Sequence, residues 1–247
     1  MTTTAESATT VTSSTPRDST LLLTASGVPL GALAFLGDEL PDATGQIVLT
    51  LTSNGFAWGA AALVAGYLVR RARRAPVVAT ALLLVATTLY YGLILVVSRR
   101  WSGGTLEDGS SADLYGLMSV ARAAGFWLLI SVAAGLVLGS LGHLVRSGPR
   151  RRSSAAAGLA FGMLAAEGLN QLSHGYYWPI PDSFVQVIVI SNAVTVSLSL
   201  VVTVLLLVFR GPSRSWWLYL GSAAVAGGLG AVLWSFIDMA RGSGFGM

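Results

Sequence analysis

The sequence predicts an all-α bundle of about seven transmembrane helices, and three observations support this fold class. Hydrophobic residues make up 53% of the 247-residue chain and charged residues only 11%, whereas soluble domains carry roughly 25% charged residues. The mean hydropathy is +0.69. The apolar residues form runs close to the ~20 residues that a helix needs to cross a bilayer. A surface that faces water cannot be built from this composition.

Seven apolar runs are the candidate spans. They cover residues 21–37, 46–69, 75–98, 117–145, 154–173, 184–209 and 215–239. The third run carries no charge except its flanking arginines, whereas Gly27, Pro29 and Gly31 interrupt the first. Residues 1–20 are rich in Ser and Thr without apolar periodicity and predict a disordered cytoplasmic tail. Residues 21–247 are then one transmembrane domain.

The positions of the arginines predict how the bundle is oriented. The chain has no lysine, and arginines gather in the loops 70–74, 146–152 and 210–214, while most acidic residues lie in the alternate loops. The positive-inside rule places arginine-rich loops in the cytoplasm. We therefore expect a protein of the cell membrane with a cytoplasmic N-terminus and an extracytoplasmic C-terminus. Because the arginines separate apolar runs, they indicate topology and not a nucleic-acid partner.

Several kinds of chemistry are excluded by residue type. The chain has no cysteine and only two histidines, which fall on opposite sides of the predicted membrane. There is no phosphate-binding glycine loop, Ser-His-Asp set or metal-ligand cluster. We expect no cofactor and no metal, with the lipid bilayer as the principal partner.

A polar stripe in the fifth span is the strongest sign of a site. Glu167, Asn170, Gln171 and His174 have the spacing i, i+3, i+4 and i+7, which places them on one helical face. An ionisable side chain within the hydrocarbon costs ~2.5–3.5 kcal/mol on insertion scales, so this face should point into the bundle. Other polar or aromatic residues fall at a similar depth, in the outer half of the membrane: Asn54, Tyr90, Tyr91, Arg122, Asn192, Trp234, Ser235 and Asp238.

These residues predict a polar pocket in the outer half of the bundle, with Arg122 as the cation that pairs with Glu167 and Asp238 as its competitor. The alternative explains each residue separately. Arg122 would only extend to the lipid headgroups, Asp238 would be exposed near the C-terminus, and the asparagines would join helices by hydrogen bonds.

The sequence also contains an internal similarity. Residues 41–54 and 181–192 both read Pro-Asp-x-x-x-Gln-apolar and then Ser-Asn, and residues 31–37 resemble 162–168. A duplication would give two parallel three-helix repeats joined by the fourth span, with Asn54 near Asn192, as in some transporters. Chance similarity in an Ala-, Leu- and Gly-rich chain is the alternative. Three GxxxG pairs predict close helix packing: Gly27/Gly31, Gly135/Gly139 and Gly158/Gly162.

Two short stretches carry a resemblance to a family. Residues 36–41, Leu-Gly-Asp-Glu-Leu-Pro, and residues 53–55, Ser-Asn-Gly, with Trp58 resemble a family of small, uncharacterised actinobacterial multi-pass membrane proteins. The resemblance extends through the sixth span. It implies the multi-pass fold, and it implies no activity.

Three functions remain open. The first is binding or transport of a small amphiphilic molecule in the pocket. The second is a membrane enzyme that acts on an isoprenoid-like lipid, with Glu167 or Asp238 as the acid. The third is an accessory subunit without a site. Paired Asn54 and Asn192 would favour transport, two carboxyls in a closed aromatic cavity would favour the enzyme, and a solid bundle would favour the accessory role.

Overall fold

The structure, a computed structural model, describes residues 16–40, 55–173, 183–211 and 214–240, and it is helical as predicted. The helices have these bounds: α1 Pro16–Ala25, α2 Gly27–Glu39, α3 Gly55–Leu68, α4 Ala75–Leu93 with a π-helical extension Ile94–Ser98, α5 Asp113–Ser147, α6 Arg150–Ser173, α7 Ser183–Phe209 and α8 Trp216–Ala240. A helix therefore lies in each of the seven predicted spans. The fold class, a bundle of membrane-type helices, is confirmed.

Within the described residues, five helical segments are long and apolar enough to cross a membrane: Thr20–Glu39, Ala75–Ser98, Asp113–Ser147, Val189–Phe209 and Trp216–Met239. They indicate a membrane-embedded protein. Helices α3 and α6, which lie in the other two predicted spans, are not among these five segments, for separate reasons. The described part of α3 has 14 residues, fewer than the ~20 that a span needs, and α6 carries both arginines and the polar stripe.

The first predicted span is two helices. Pro29 has no N–H, and its ring clashes with the carbonyl four residues earlier, so α1 ends at Ala25 and α2 begins at Gly27. The hydroxyl of Ser26 in the break donates to the Leu23 oxygen at 2.6 Å. Helix α1 begins at Pro16, a residue favoured at the first helical position. The helix thus enters the segment that we predicted as tail, and residues 1–15 lie outside the described residues.

The three GxxxG pairs mark close helix contacts, as predicted. A Cβ atom on Gly158 would lie 2.1 Å from the Tyr219 oxygen, and one on Gly162 would lie 2.4 Å from the Gly227 nitrogen. The other two pairs meet the backbone of α4 in the same way: Gly27/Gly31 and Gly135/Gly139. Small residues at these positions let the backbones approach. They hold α6 against α8, and both α2 and α5 against α4.

The bundle has two ends with different charges. We call the end of the bundle where α3, α5 and α7 end the arginine end, and the opposite end, where α2 ends at Glu39, the acidic end. Most of the buried core lies in the half next to the arginine end, where Ala62, Leu63, Leu207 and Tyr219 are at most 2% exposed. The buried core lies in that half because small residues, which let helices pack closely, are frequent there.

The predicted repeat has partial structural support. The aligned pairs Gly27/Gly31 and Gly158/Gly162 each hold the first helix of their half against the third, α2 on α4 and α6 on α8. However, α6 also packs on α7, whereas α2 and α3 are not extensively packed together within the described residues. Asn54 lies outside the described residues. The duplication stays a prediction.

Candidate binding cavity

A cavity lies in the half of the bundle next to the acidic end. Its volume is about 540 Å³, and its walls come from α2, α3, α4, α5, α6 and α8. Small-molecule sites usually have volumes of roughly 300–1,000 Å³, so this cavity has the size of a ligand site. Its lining is mostly apolar, with five aromatic rings and a carboxyl group: Trp58, Tyr90, Tyr91, Trp127, Trp234 and Glu167.

The polar and aliphatic lining residues lie at different depths. On α4, Leu83 lies near the middle of the bundle, and Tyr91 is about 12 Å further toward the acidic end at 1.5 Å per residue. On α6, Leu164 is deeper than Glu167 by the same reasoning. The aliphatic lining residues Leu83, Leu138 and Leu164 are at most 4% exposed. The cavity is therefore amphipathic, with its aromatic and acidic part toward the acidic end.

Glu167 links α6 to the start of α3. Its Oε2 accepts a hydrogen bond from the backbone N–H of Gly55 at 3.0 Å. The first N–H groups of a helix have no partner within the helix and carry partial positive charge, so a carboxylate stabilises them. A Cβ atom on Gly55 would lie 3.1 Å from Glu167 Oε2 and 3.2 Å from the Trp234 ring. Glycine at position 55 thus lets the carboxyl and the indole close this wall of the cavity.

The predicted pair of Glu167 and Arg122 is wrong. Arg122 is exposed, and its Nε donates to the Met118 oxygen of its own helix at 3.4 Å. In the described part of the chain, the ion pairs belong to Arg100. On α5 the cavity lining begins at Trp127, and Arg122 is about 7.5 Å closer to the acidic end at 1.5 Å per residue. Position along the sequence suggested the pair, and the contacts of Arg122 exclude it.

Asp238 is held by α6 and lies outside the cavity lining. Its Oδ2 accepts hydrogen bonds from Asn170 Nδ2 at 3.3 Å and from Gln171 Nε2 at 3.5 Å. Asn170 is only 3% exposed. The polar stripe of α6 is therefore divided, because Glu167 faces the cavity while Asn170 and Gln171 face α8. The two carboxyls do not converge on one space.

The remaining predicted residues fall into three groups. Tyr91 and Trp234 line the cavity, as expected. Asn192 is half-buried on α7 and does not line it; its backbone oxygen would lie 3.0 Å from a Cβ on Gly168, which marks a close contact between α6 and α7. Asn54 and His174 lie outside the described residues.

Several lining residues were missed at the level of sequence. Thr87 and Ser131 are buried, and their hydroxyls are hydrogen-bonded at 2.7 Å between α4 and α5. Trp58 and Trp127 complete the aromatic part of the wall. On α5, Arg122 is selected from the sequence because it is ionisable. Trp127, an aromatic residue of the same helix, is the one that lines the cavity.

A charged network at the acidic end was also missed. The Tyr90 hydroxyl donates to Asp38, and Arg100 pairs with Asp38 at 3.3 Å and with Glu39 at 2.8 Å. Partial burial lowers the pKa of the Arg100 guanidinium, but the hydrogen bonds to Glu39 and Asp38 and their charges more than offset this, so the pKa is raised. Sequence reasoning had treated these three charges only as loop charges. In the structure they hold Tyr90, which lines the cavity.

No family model, curated protein or solved structure matches this chain. The resemblance to actinobacterial multi-pass proteins stays a prediction, and the function must be argued from the cavity itself.

Proposed function

We propose that this protein binds a small amphiphilic molecule in the cavity, as a receptor or a transporter of the cell membrane. The observation that carries the proposal is the amphipathic lining: Glu167 and the aromatic rings toward the acidic end, and buried leucines toward the middle. A ligand with a polar head and an apolar body would match this gradient. The apolar body would be driven into the deep part by burial of its surface.

The charge of the lining selects the head group. Glu167 is a hydrogen-bond acceptor, and no arginine, lysine or histidine lines the cavity among the described residues. An anionic head would therefore meet a like charge in a medium of low dielectric constant. An ammonium group would gain the carboxylate and the faces of the aromatic rings, which attract cations. We propose a ligand with an ammonium head, and a neutral hydroxyl head as the next best fit.

The enzyme hypothesis keeps one favourable observation, which is a carboxyl group in an aromatic-lined cavity. It expected two carboxyls there, and Asp238 is hydrogen-bonded to α6 instead. The accessory-subunit hypothesis expected a solid bundle at this level, and a cavity of about 540 Å³ argues against it. Ligand binding is therefore the function that the geometry supports best.

The proposal includes an orientation. We propose that the arginine end faces the cytoplasm, because arginine-rich turns are retained on that side. The polar part of the cavity would then lie in the outer leaflet. Reporter fusions after Arg74 and after Arg152 should report a cytoplasmic location, and an external location at either position would reverse the orientation.

Binding is tested with three single-chain probes of equal length that end in an ammonium, a hydroxyl or a carboxylate group. Each is titrated into the protein in lipid nanodiscs, and bound probe is measured by native mass spectrometry. We expect the ammonium probe to bind most tightly and the carboxylate probe least. Ala134→Phe places a ring in the cavity and should abolish binding.

The matched control is Val132→Phe, because Val132 is on the same helix, is 37% exposed and does not line the cavity. It should bind the ammonium probe like the wild type. Equal binding by Ala134→Phe and Val132→Phe, or a preference for the carboxylate probe, would contradict the proposed function.

A further inference from the structure

Some residues that line the cavity are also exposed on the outside of the bundle. Val137 is 44% exposed, Met163 37% and Leu233 61%, and each of them lines the cavity. Ala133, one turn from Val137 on α5, is exposed as well. The aliphatic residues on the opposite side of the cavity are buried. The cavity is therefore continuous with the surface of the bundle on one side.

The exposed lining residues define the position of the opening. Ala133 and Val137 are on α5, Leu233 is on α8, and Met163 of α6 lies between them. Within the described residues, α5 and α8 do not pack extensively against each other. The opening, which we call the side opening, is thus the gap between these two helices, with α6 behind it.

The side opening lies in an apolar part of the bundle surface, of the kind that contacts hydrocarbon in a bilayer. Met163 lies near the middle of α6, away from both helix ends, and the side chains around the opening are all apolar. The adjacent exposed residues of α5 and α8 are apolar too, including Val132 and Leu229. A polar molecule from water would find no hydrogen-bonding group at this position, whereas an acyl or alkyl chain would make apolar contacts there.

The opposite wall is closed by close packing and by the charged network. Gly31 of α2 packs against the Ala86 backbone of α4, where a Cβ atom would lie 2.4 Å from the Ala86 oxygen. Above it, Asp38 accepts from Tyr90 and pairs with Arg100. Entry between α2 and α4 would require the separation of these contacts, whereas entry between α5 and α8 would not.

We propose that the ligand is a single-chain amphiphile with an ammonium head that enters from the bilayer through the side opening. This rests on the proposed function, and it adds the source of the ligand and the route. The head would move to Glu167 and the aromatic rings, and the chain would extend toward the middle of the bundle, along the deep lining residues. This orientation, with the head toward the acidic end, is that of the surrounding lipids in the same leaflet.

The route is tested with a primary alkylamine that carries a diazirine at the end of its chain. The amine is supplied in donor vesicles, and the protein is held in acceptor nanodiscs. Samples are illuminated at successive times, and crosslinked residues are identified by mass spectrometry. In the wild type we expect adducts in the cavity on the deep lining residues Leu83, Leu138 and Leu164. Val137→Trp and Leu233→Trp, on two different helices, should slow the appearance of these adducts by about tenfold or more, because the added ring must be displaced.

The controls are Val132→Trp and Leu229→Trp, which place the same ring on exposed positions of α5 and α8 outside the lining. They should load at the wild-type rate. Unchanged loading in both Val137→Trp and Leu233→Trp would overturn the side opening, and the proposed function would stand if Ala134→Phe still abolished the adducts. An absence of cavity adducts in the wild type would overturn both.

Discussion

The two halves of the bundle are built on different principles. In the half next to the arginine end, glycine and alanine bring helix backbones into contact, as where a Cβ on Gly66 would lie 2.1 Å from the Gly139 oxygen. In the half next to the acidic end, the same helices carry large aromatic residues and leave a cavity of about 540 Å³. One bundle thus contains a tightly packed half and an open half.

The difference follows from the sequence along single helices. Helix α3 has Trp58 near its start and Gly66 near its end, and α8 has Ala223 in the packed half and Trp234 at the cavity. In membranes, packing between small residues is a main source of helix association. The packed half therefore supplies the stability that allows the other half to remain open.

The largest effect should come from a side chain placed between backbones. Gly66→Leu puts its Cβ against the Gly139 backbone, which cannot move without displacing α5. We expect a loss of about 3 kcal/mol or more in the free energy of unfolding, or failure to fold. Gly228→Leu is the control, since no atom lies within 4 Å of a Cβ at that position. Unfolding in mixed micelles measures both. Equal stabilities would mean that the packed half is looser than described.

An alanine-to-phenylalanine substitution in each half compares the stability cost of an added ring in the two halves directly. Ala62 is fully buried in the packed half, and Ala62→Phe should lower stability by about 2–3 kcal/mol. Ala134→Phe points into existing space and should lower it by less than about 1 kcal/mol. The difference between their unfolding midpoints is the measurement. A reversal of the order would contradict the assignment of open and packed halves.

A buried hydroxyl in the packed half should give a smaller effect. Ser153 Oγ donates to the Val145 oxygen at 2.6 Å, and the residue that would normally donate to this oxygen is Pro149, which has no N–H. Ser153→Ala leaves a buried carbonyl without this donor and should cost about 1–3 kcal/mol.

Ser131→Ala is the counterpart beside the cavity. The Thr87 hydroxyl keeps its bond to the Leu83 oxygen at 2.9 Å, so the loss should be under about 1 kcal/mol. Comparable losses in the two alanine variants would show that the hydroxyl of Ser153 has no special role.

The smallest effect should be that of Arg100→Gln at the acidic end. The side chains of Arg100 and Glu39 are 42% and 45% exposed, and exposed ion pairs contribute about 0–1 kcal/mol. Asp38 is 15% exposed and keeps the Tyr90 hydroxyl as a donor when Arg100 is replaced. We expect an unfolding midpoint close to that of the wild type. A large loss would mean that the network with Asp38 and Glu39 also supports the fold.

The sequence predicted the packed half better than the site. Glycine spacing depends on neighbours within one helix, so Gly158 and Gly162 could be identified and their role is confirmed. The site depends on which helix each face meets, and this is set by tertiary packing. Helical spacing placed Glu167 and Asn170 on one stripe, but it could not show that the stripe divides between the cavity and α8. Depth alone suggested Arg122, and its exposure and its hydrogen bond to Met118 of its own helix exclude it as the partner of Glu167.

The most direct test of the central claim is the effect of Glu167→Gln on the choice of head group. Glutamine keeps an acceptor oxygen for the Gly55 N–H, so stability should change by less than about 1 kcal/mol. The ratio of the dissociation constants of the hydroxyl and ammonium probes should fall by about tenfold or more, because the charge-assisted contact is lost while the cavity remains. A folded Glu167→Gln protein with the wild-type ratio would show that Glu167 does not contact the head group, and would contradict the account.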